Sequence, residues 1–102
     1  MEVSFFNSTI NDYLLSLEKP TYSKVFKQIK LLETLGFKLT MPYSKPISRN
    51  LFELRIRGKQ EIRIFYCFFH HKIYLLHAFI KKSQKSPRRE IDIAQKRISL
   101  LT

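Results

Sequence analysis

Residues 52–82, FELRIRGKQEIRIFYCFFHHKIYLLHAFIKK, constrain the fold more than any other stretch. Phe52–Arg57, Glu61–Phe69 and Lys72–Lys81 are rich in Ile, Phe, Tyr and Leu and have strand length. Gly58-Lys59-Gln60 and His70-His71 fall where two hairpin turns belong. A two-residue loop at His70-His71 sets Phe69 opposite Lys72, Tyr66 opposite Leu75, Ile64 opposite His77 and Ile62 opposite Phe79. A three-residue loop at Gly58–Gln60 sets Arg57 opposite Glu61, Ile56 opposite Ile62 and Leu54 opposite Ile64.

Side chains alternate between the faces of a strand, so this register assigns every residue. One face collects Phe52, Leu54, Ile56, Ile62, Ile64, Tyr66, Phe68, Ile73, Leu75 and Phe79, with His77 its one clearly polar member. The other collects Glu53, Arg55, Arg57, Glu61, Arg63, Phe65, Cys67 and Lys82. A loop longer or shorter by one residue mixes arginines into the apolar face. Arg55 then lies across from Arg63, with Ala78 beside Arg63 on the third strand. Like charges directly opposite destabilise a sheet. Either Glu53 and Glu61 neutralise the pair, or an anion such as a phosphate completes the site.

The flanking sequence supplies the remaining elements. Val3–Phe6 favours an edge strand, and Asn7-Ser8 offers an N-cap to a helix carrying Ile10, Tyr13, Leu14 and Leu17. Pro20 ends that helix, and Thr21 to Ser23 cap a second with Val25, Phe26, Ile29, Leu32 and Leu35 along one stripe. Gly36 sits where a C-cap belongs. Lys24, Lys27 and Lys30 lie off the stripe, on a solvated face or one touching RNA or a protein partner. Residues 37–50 hold two prolines and no clear period, which reads as an extended loop; its Lys45 and Arg49 are solvated or contact nucleic acid. Ser86 as N-cap and Pro87 at the first helical position begin a last helix, whose Ile91, Ala94, Ile98 and Leu101 cover Phe65 and Cys67. The expectation is one α+β domain over residues 1–102. In it a helical hairpin packs on an antiparallel sheet of three to four strands, followed by a C-terminal helix.

Charge narrows the partners. The formal net charge is +11, and residues 49–102 hold thirteen Lys and Arg against four acids. Such a surface draws phosphate backbones, acidic proteins or anionic membranes. No apolar run is long enough to span a bilayer, Met1-Glu2 does not open a signal-peptide layout, and one cysteine excludes an internal disulfide. These point to the cytoplasm.

LFELRIRG, EIRIFYCF and IYLLHAFIKKSQKSP, in that order, resemble the RelE/HigB superfamily of type II toxins, and in particular its phage-derived HigB-like branch. The shared pattern is an ELR strand, an R-I-F-Y strand, an H-x-F-x-K-K strand end and a Pro-started helix. It covers the second half of the chain closely and the first half only by order of elements. The resemblance implies a RelE-like fold and a ribosome-dependent mRNA endonuclease, inhibited by a cognate antitoxin that in this branch is a helix-turn-helix DNA-binding protein. RNA supplies its own 2′-OH nucleophile, so the protein needs a base, an acid and cations for the phosphate, with no metal or other cofactor.

Arg63 matches the family's catalytic strand arginine, and its guanidinium forks onto two phosphate oxygens. A structural ion pair with Glu53 or Glu61 is the alternative. Arg55 falls where the family carries a basic residue that orients the phosphate. Glu53 departs from the lysine of some relatives and either serves as base or holds Arg55. Lys82 is the third catalytic candidate, and Lys81, Arg57, Lys59 and Lys85 are candidates for RNA contact. His77 either transfers protons or is a hydrogen-bonded core residue. Cys67, His70, His71 and His77 lack a standard zinc spacing. Two other functions compete: a ParE-like gyrase-inhibiting toxin, and a non-catalytic basic RNA- or ribosome-binding module.

Overall fold

The computed structural model describes residues 1–83 and 87–102. Strand β1 (Glu2–Phe5) leads into helices α1 (Ser8–Leu15) and α2 (Lys19–Leu35). Strands β2 (Ser44–Ser48), β3 (Leu51–Ile56), β4 (Ile62–Phe69) and β5 (Lys72–Ile80) follow, and helix α3 (Arg88–Ser99) closes the order. The five strands form one sheet in the order β1-β5-β4-β3-β2. The α+β architecture is the expected one, but the sheet has five strands and is mixed, because β1 runs parallel to β5. Hairpin turns fix antiparallel pairing only between strands adjacent in sequence. Nothing local fixes the direction of β1, whose Glu2 pairs with Lys72.

The Asn7 side chain caps α1 by accepting from the Ile10 N–H at 3.1 Å. Helix α2 begins at Lys19 rather than at Thr21 to Ser23. Pro20 sits in its first turn, where a residue has no intrahelical use for its N–H; Thr21 is buried instead. Gly36 ends α2 at φ +52°, a left-handed conformation that a side chain makes costly. Leu14, Val25 and Leu32 are fully buried against Leu54, Ile56, Ile62, Ile64, Tyr66, Ile73 and Leu75 of the sheet. Each such side chain contributes about 1.5–3 kcal/mol by leaving water. Leu35, expected in the same stripe, is exposed at the helix end.

Residues 37–50 are not wholly irregular. After a 3-10 turn at Gly36–Lys38, Ser44–Ser48 pairs antiparallel with β3 as an outer strand. Pro46 is tolerated there because an edge strand has one side with no partner for an N–H. The buried Ser44 hydroxyl hydrogen-bonds the Tyr66 hydroxyl on the apolar face.

The β3–β4 register is the expected one: Leu54 faces Ile64, Arg55 faces Arg63 and Ile56 faces Ile62. The β4–β5 register is as expected near the turn, with Phe69 opposite Lys72 and Tyr66 opposite Leu75. His70 and His71 both have positive φ there, as a two-residue hairpin turn requires. A bulge then intervenes. Phe65 faces His77, Ile64 faces Ala78 and Arg63 faces Phe79, so Leu76 is the extra residue. His77 and Phe79 therefore share the arginine face, and Ala78 and Ile80 join the apolar one, contrary to the sequence reading.

Helix α3 covers part of the arginine face, where Ala94, Ile91, Ile98 and Leu101 pack with Phe65, Cys67 and Leu76. Pro87 is its N-cap residue rather than its first helical position, and its carbonyl accepts the Ile91 N–H at 2.9 Å. Ser86, the expected cap, lies outside the described residues.

Candidate functional site

The strand ends beyond the cover of α3 hold a notch of about 280 Å³ lined by Arg55, Arg57, Glu61, Arg63, Lys81, Lys82 and Ser83. The sheet builds it row by row. Arg55 and Arg63 are cross-strand partners on β3 and β4. The Lys81 N–H donates to the Glu61 carbonyl at 2.8 Å, which continues the β4–β5 pairing past Ile80. Two of the sequence's assignments change here. The alternation that set Lys82, and not Lys81, on the arginine face does not survive the bulge at Leu76, and both lysines line the notch. Phe79, not Ala78, lies beside Arg63. Lys59 sits exposed in the β3–β4 turn and is not among the lining residues. Lys85 lies outside the described residues.

Both resolutions of the arginine pair expected from sequence bear on this geometry. Arg63 is only 2% exposed. Its Nη2 lies 3.2 Å from Glu61 Oε1, and its Nη1 donates to the Ile62 carbonyl at 3.1 Å. Glu53 is buried between the two arginines: its Oε1 stands 3.6 Å from Arg55 Nε and 3.8 Å from Arg63 Nε. These spacings suit ion pairing but exceed a hydrogen bond. Both Nε groups are buried without a hydrogen-bond partner among the described residues. The carboxylates do not neutralise the notch, since among the described residues five cationic side chains line it against Glu53 and Glu61. Its excess charge suits an anion.

Opposing influences act on the Glu61 carboxyl. Desolvation pushes its carboxyl upward, but the Gly58 N–H, the Arg63 hydrogen bond and charge, and the Arg57 charge outweigh this and hold it below its ordinary range. A carboxylate held so firmly ionised is a weak proton acceptor and a good anchor. A depressed folded-state pKa contributes stability above the unfolded pKa and loses it as pH falls through the folded one. Acid melts from neutrality to about pH 3 should therefore show a steeper loss of Tm for the wild type than for Glu61→Gln.

The histidines and cysteine are not gathered. His70 and His71 are exposed at the turn, and His77 Nε2 hydrogen-bonds Glu90 Oε1 of α3 at 2.8 Å. His77 stands opposite Phe65, one alternation away from Arg63 on the same face. Cys67 is fully buried, and burial pushes its thiol up to about 11. In the native protein Cys67 should resist a thiol-specific reagent at neutral pH and react fully once denaturant is added. Among the described residues no three His, Cys, Asp or Glu side chains form a group that could hold a metal, and no helix is long and apolar enough to cross a membrane.

The family model described as "Phage derived protein Gp49-like (DUF891)" matches residues 12–99, so the chain belongs to that family. This is a toxin-like family related to the RelE/HigB type II toxins, and the α+β architecture is consistent with a RelE-like fold. Membership suggests a toxin of a toxin–antitoxin system, and with it an antitoxin partner. A sequence search of curated proteins finds no match.

Proposed function

We propose that this chain, as one domain of the phage-derived HigB-like branch, is a ribosome-dependent mRNA endonuclease of the cytoplasm, restrained by a helix-turn-helix antitoxin. The observation that carries the reading is the Arg55–Arg63 cross-strand pair opening on a notch with Arg57, Lys81 and Lys82. A scissile phosphate placed there meets guanidinium forks and ammonium groups where its negative charge grows. The RNA 2′ oxygen attacks phosphorus and gives up its proton to solvent water, the P–O5′ bond breaks, and the departing 5′ oxygen takes a proton from the ammonium group of Lys82 or Lys81. The products are a 2′,3′-cyclic phosphate and a 5′-hydroxyl. Arg63 stabilises the phosphorane charge, Arg55 orients the phosphate, and Lys82 or Lys81 serves the leaving oxygen.

Glu53 holds the two arginines in place and is too enclosed to act as base. The ion pairs around Arg63 favour a second reading, a non-catalytic basic module in which Arg63 is structural. Cleavage of mRNA on purified ribosomes decides between them through the chemistry of the ends. New 5′-hydroxyl ends that depend on translation support the nuclease. Binding without cleavage supports the module, and 5′-phosphate ends contradict the proposed 2′-OH attack.

A further inference from the structure

The β2–β3 pairing brings one more residue to the arginine row. Ser44 pairs with Leu54, and one step further the Arg55 N–H donates to the Tyr43 carbonyl at 2.8 Å. Ser44 points to the apolar face, where it meets Tyr66. Tyr43 is the turn residue just before β2, and continuing the β2–β3 register by one residue, from Lys45 opposite Glu53, assigns it to the face of Arg55 and Arg63. Residues directly opposite on one face have Cβ atoms about 4.5–5.5 Å apart, so the Tyr43 side chain leaves the backbone beside that of Arg55, flanking the notch rather than lining it. Met41 adds to the same flank, with its Sδ 3.8 Å from Arg55 Nη1.

Other aromatic side chains are placed or engaged differently. Among the described residues the exposed large aromatics are Phe37 and Tyr43. Phe37 stacks on Phe68 of the apolar face. Phe79, beside Arg63, packs against Phe65 and His77. Phe69 and Tyr74 pack near the His70-His71 turn, and Phe69 is six residues along β4 from Arg63, about 20 Å.

We propose that Tyr43 is the specificity residue of the notch, stacking on the base of the nucleotide whose phosphate Arg55 and Arg63 hold. The assignment rests on the reading that the notch takes an RNA phosphate. A phosphate and its own base are separated by one sugar, so an exposed ring next to a phosphate-binding arginine lies within a nucleotide's reach. Single-stranded RNA is commonly held in this way, with cations on the backbone and an aromatic ring under a base.

The test is cleavage of a defined mRNA on purified ribosomes by the wild type, Tyr43→Ala and Tyr43→Phe. Tyr43→Ala should lower kcat/KM about tenfold and flatten the nucleotide preference at the cut. Tyr43→Phe should retain both, because the ring and not the hydroxyl makes the contact. Since Tyr43 is 45% exposed, the alanine variant should melt within about 3 °C of the wild type. An alanine variant with wild-type rate and preference overturns the assignment, as does a phenylalanine variant that loses as much as alanine. A wild-type chain that cleaves nothing under translation sinks the nuclease reading itself.

Discussion

Arg63→Ala should abolish growth arrest and lower the mRNA cleavage rate by a factor on the order of 10²–10³, the usual effect of removing one preorganised group that stabilises transition-state charge. The side chain is buried, with Glu61 at 3.2 Å and the Ile62 carbonyl at 3.1 Å fixing its guanidinium before substrate arrives. Little reorganisation is then needed as the phosphate charge develops. Arg63→Lys separates the fork from the charge. It leaves a cation for Glu53 and Glu61 but cannot grip two phosphate oxygens, so its rate should still fall about tenfold or more. Single-turnover cleavage rates on programmed ribosomes, with a cooperative melt recorded for each variant, check this. Full activity in Arg63→Ala would leave the buried arginine with a structural role alone.

Glu53→Gln should cost about 3–5 kcal/mol of stability, because it leaves two inward arginines without the carboxylate they share. The Glu53 side chain is 4% exposed and that of Arg63 3%, so water screens little of the loss. For a chain of this length the change corresponds to a fall in Tm of roughly 12–30 °C. Differential scanning calorimetry at neutral pH measures it. An unchanged Tm would mean that the arginines find other acceptors and that Glu53 does not hold the site.

The hairpin from Phe52 to Phe69 was legible because its apolar and charged residues alternate cleanly. Loop length and alternation together placed Arg55 opposite Arg63, as the structure has it. The bulge on β5 was not legible. Leu75 and Leu76 are both apolar and both fully buried, on opposite faces, so a run such as IYLLHAF contains no alternation whose break would betray an extra residue. That one residue moved His77 and Phe79 to the arginine face. Strand β2 was hidden by its own edge character, since Pro46 reads locally as a loop signal and only its place at the margin of the sheet makes it tolerable. Tyr43 was missed with it, because its position beside Arg55 depends on that strand being paired. The enclosure of Arg63 by two carboxylates was foreseen as one of two alternatives. How deeply it is buried depends on packing between strands and is not written in local pattern.

If the notch cleaves RNA during translation, cells that express the chain must carry cut messages. Induced expression of the wild-type chain in bacteria, with growth followed and mRNA 5′ ends mapped in the same culture, looks for them. Growth arrest should come with new 5′ ends within translated frames, absent when translation of the message is blocked. Arrest without new ends would contradict cleavage by the notch and point instead to a toxin acting on another target, such as gyrase.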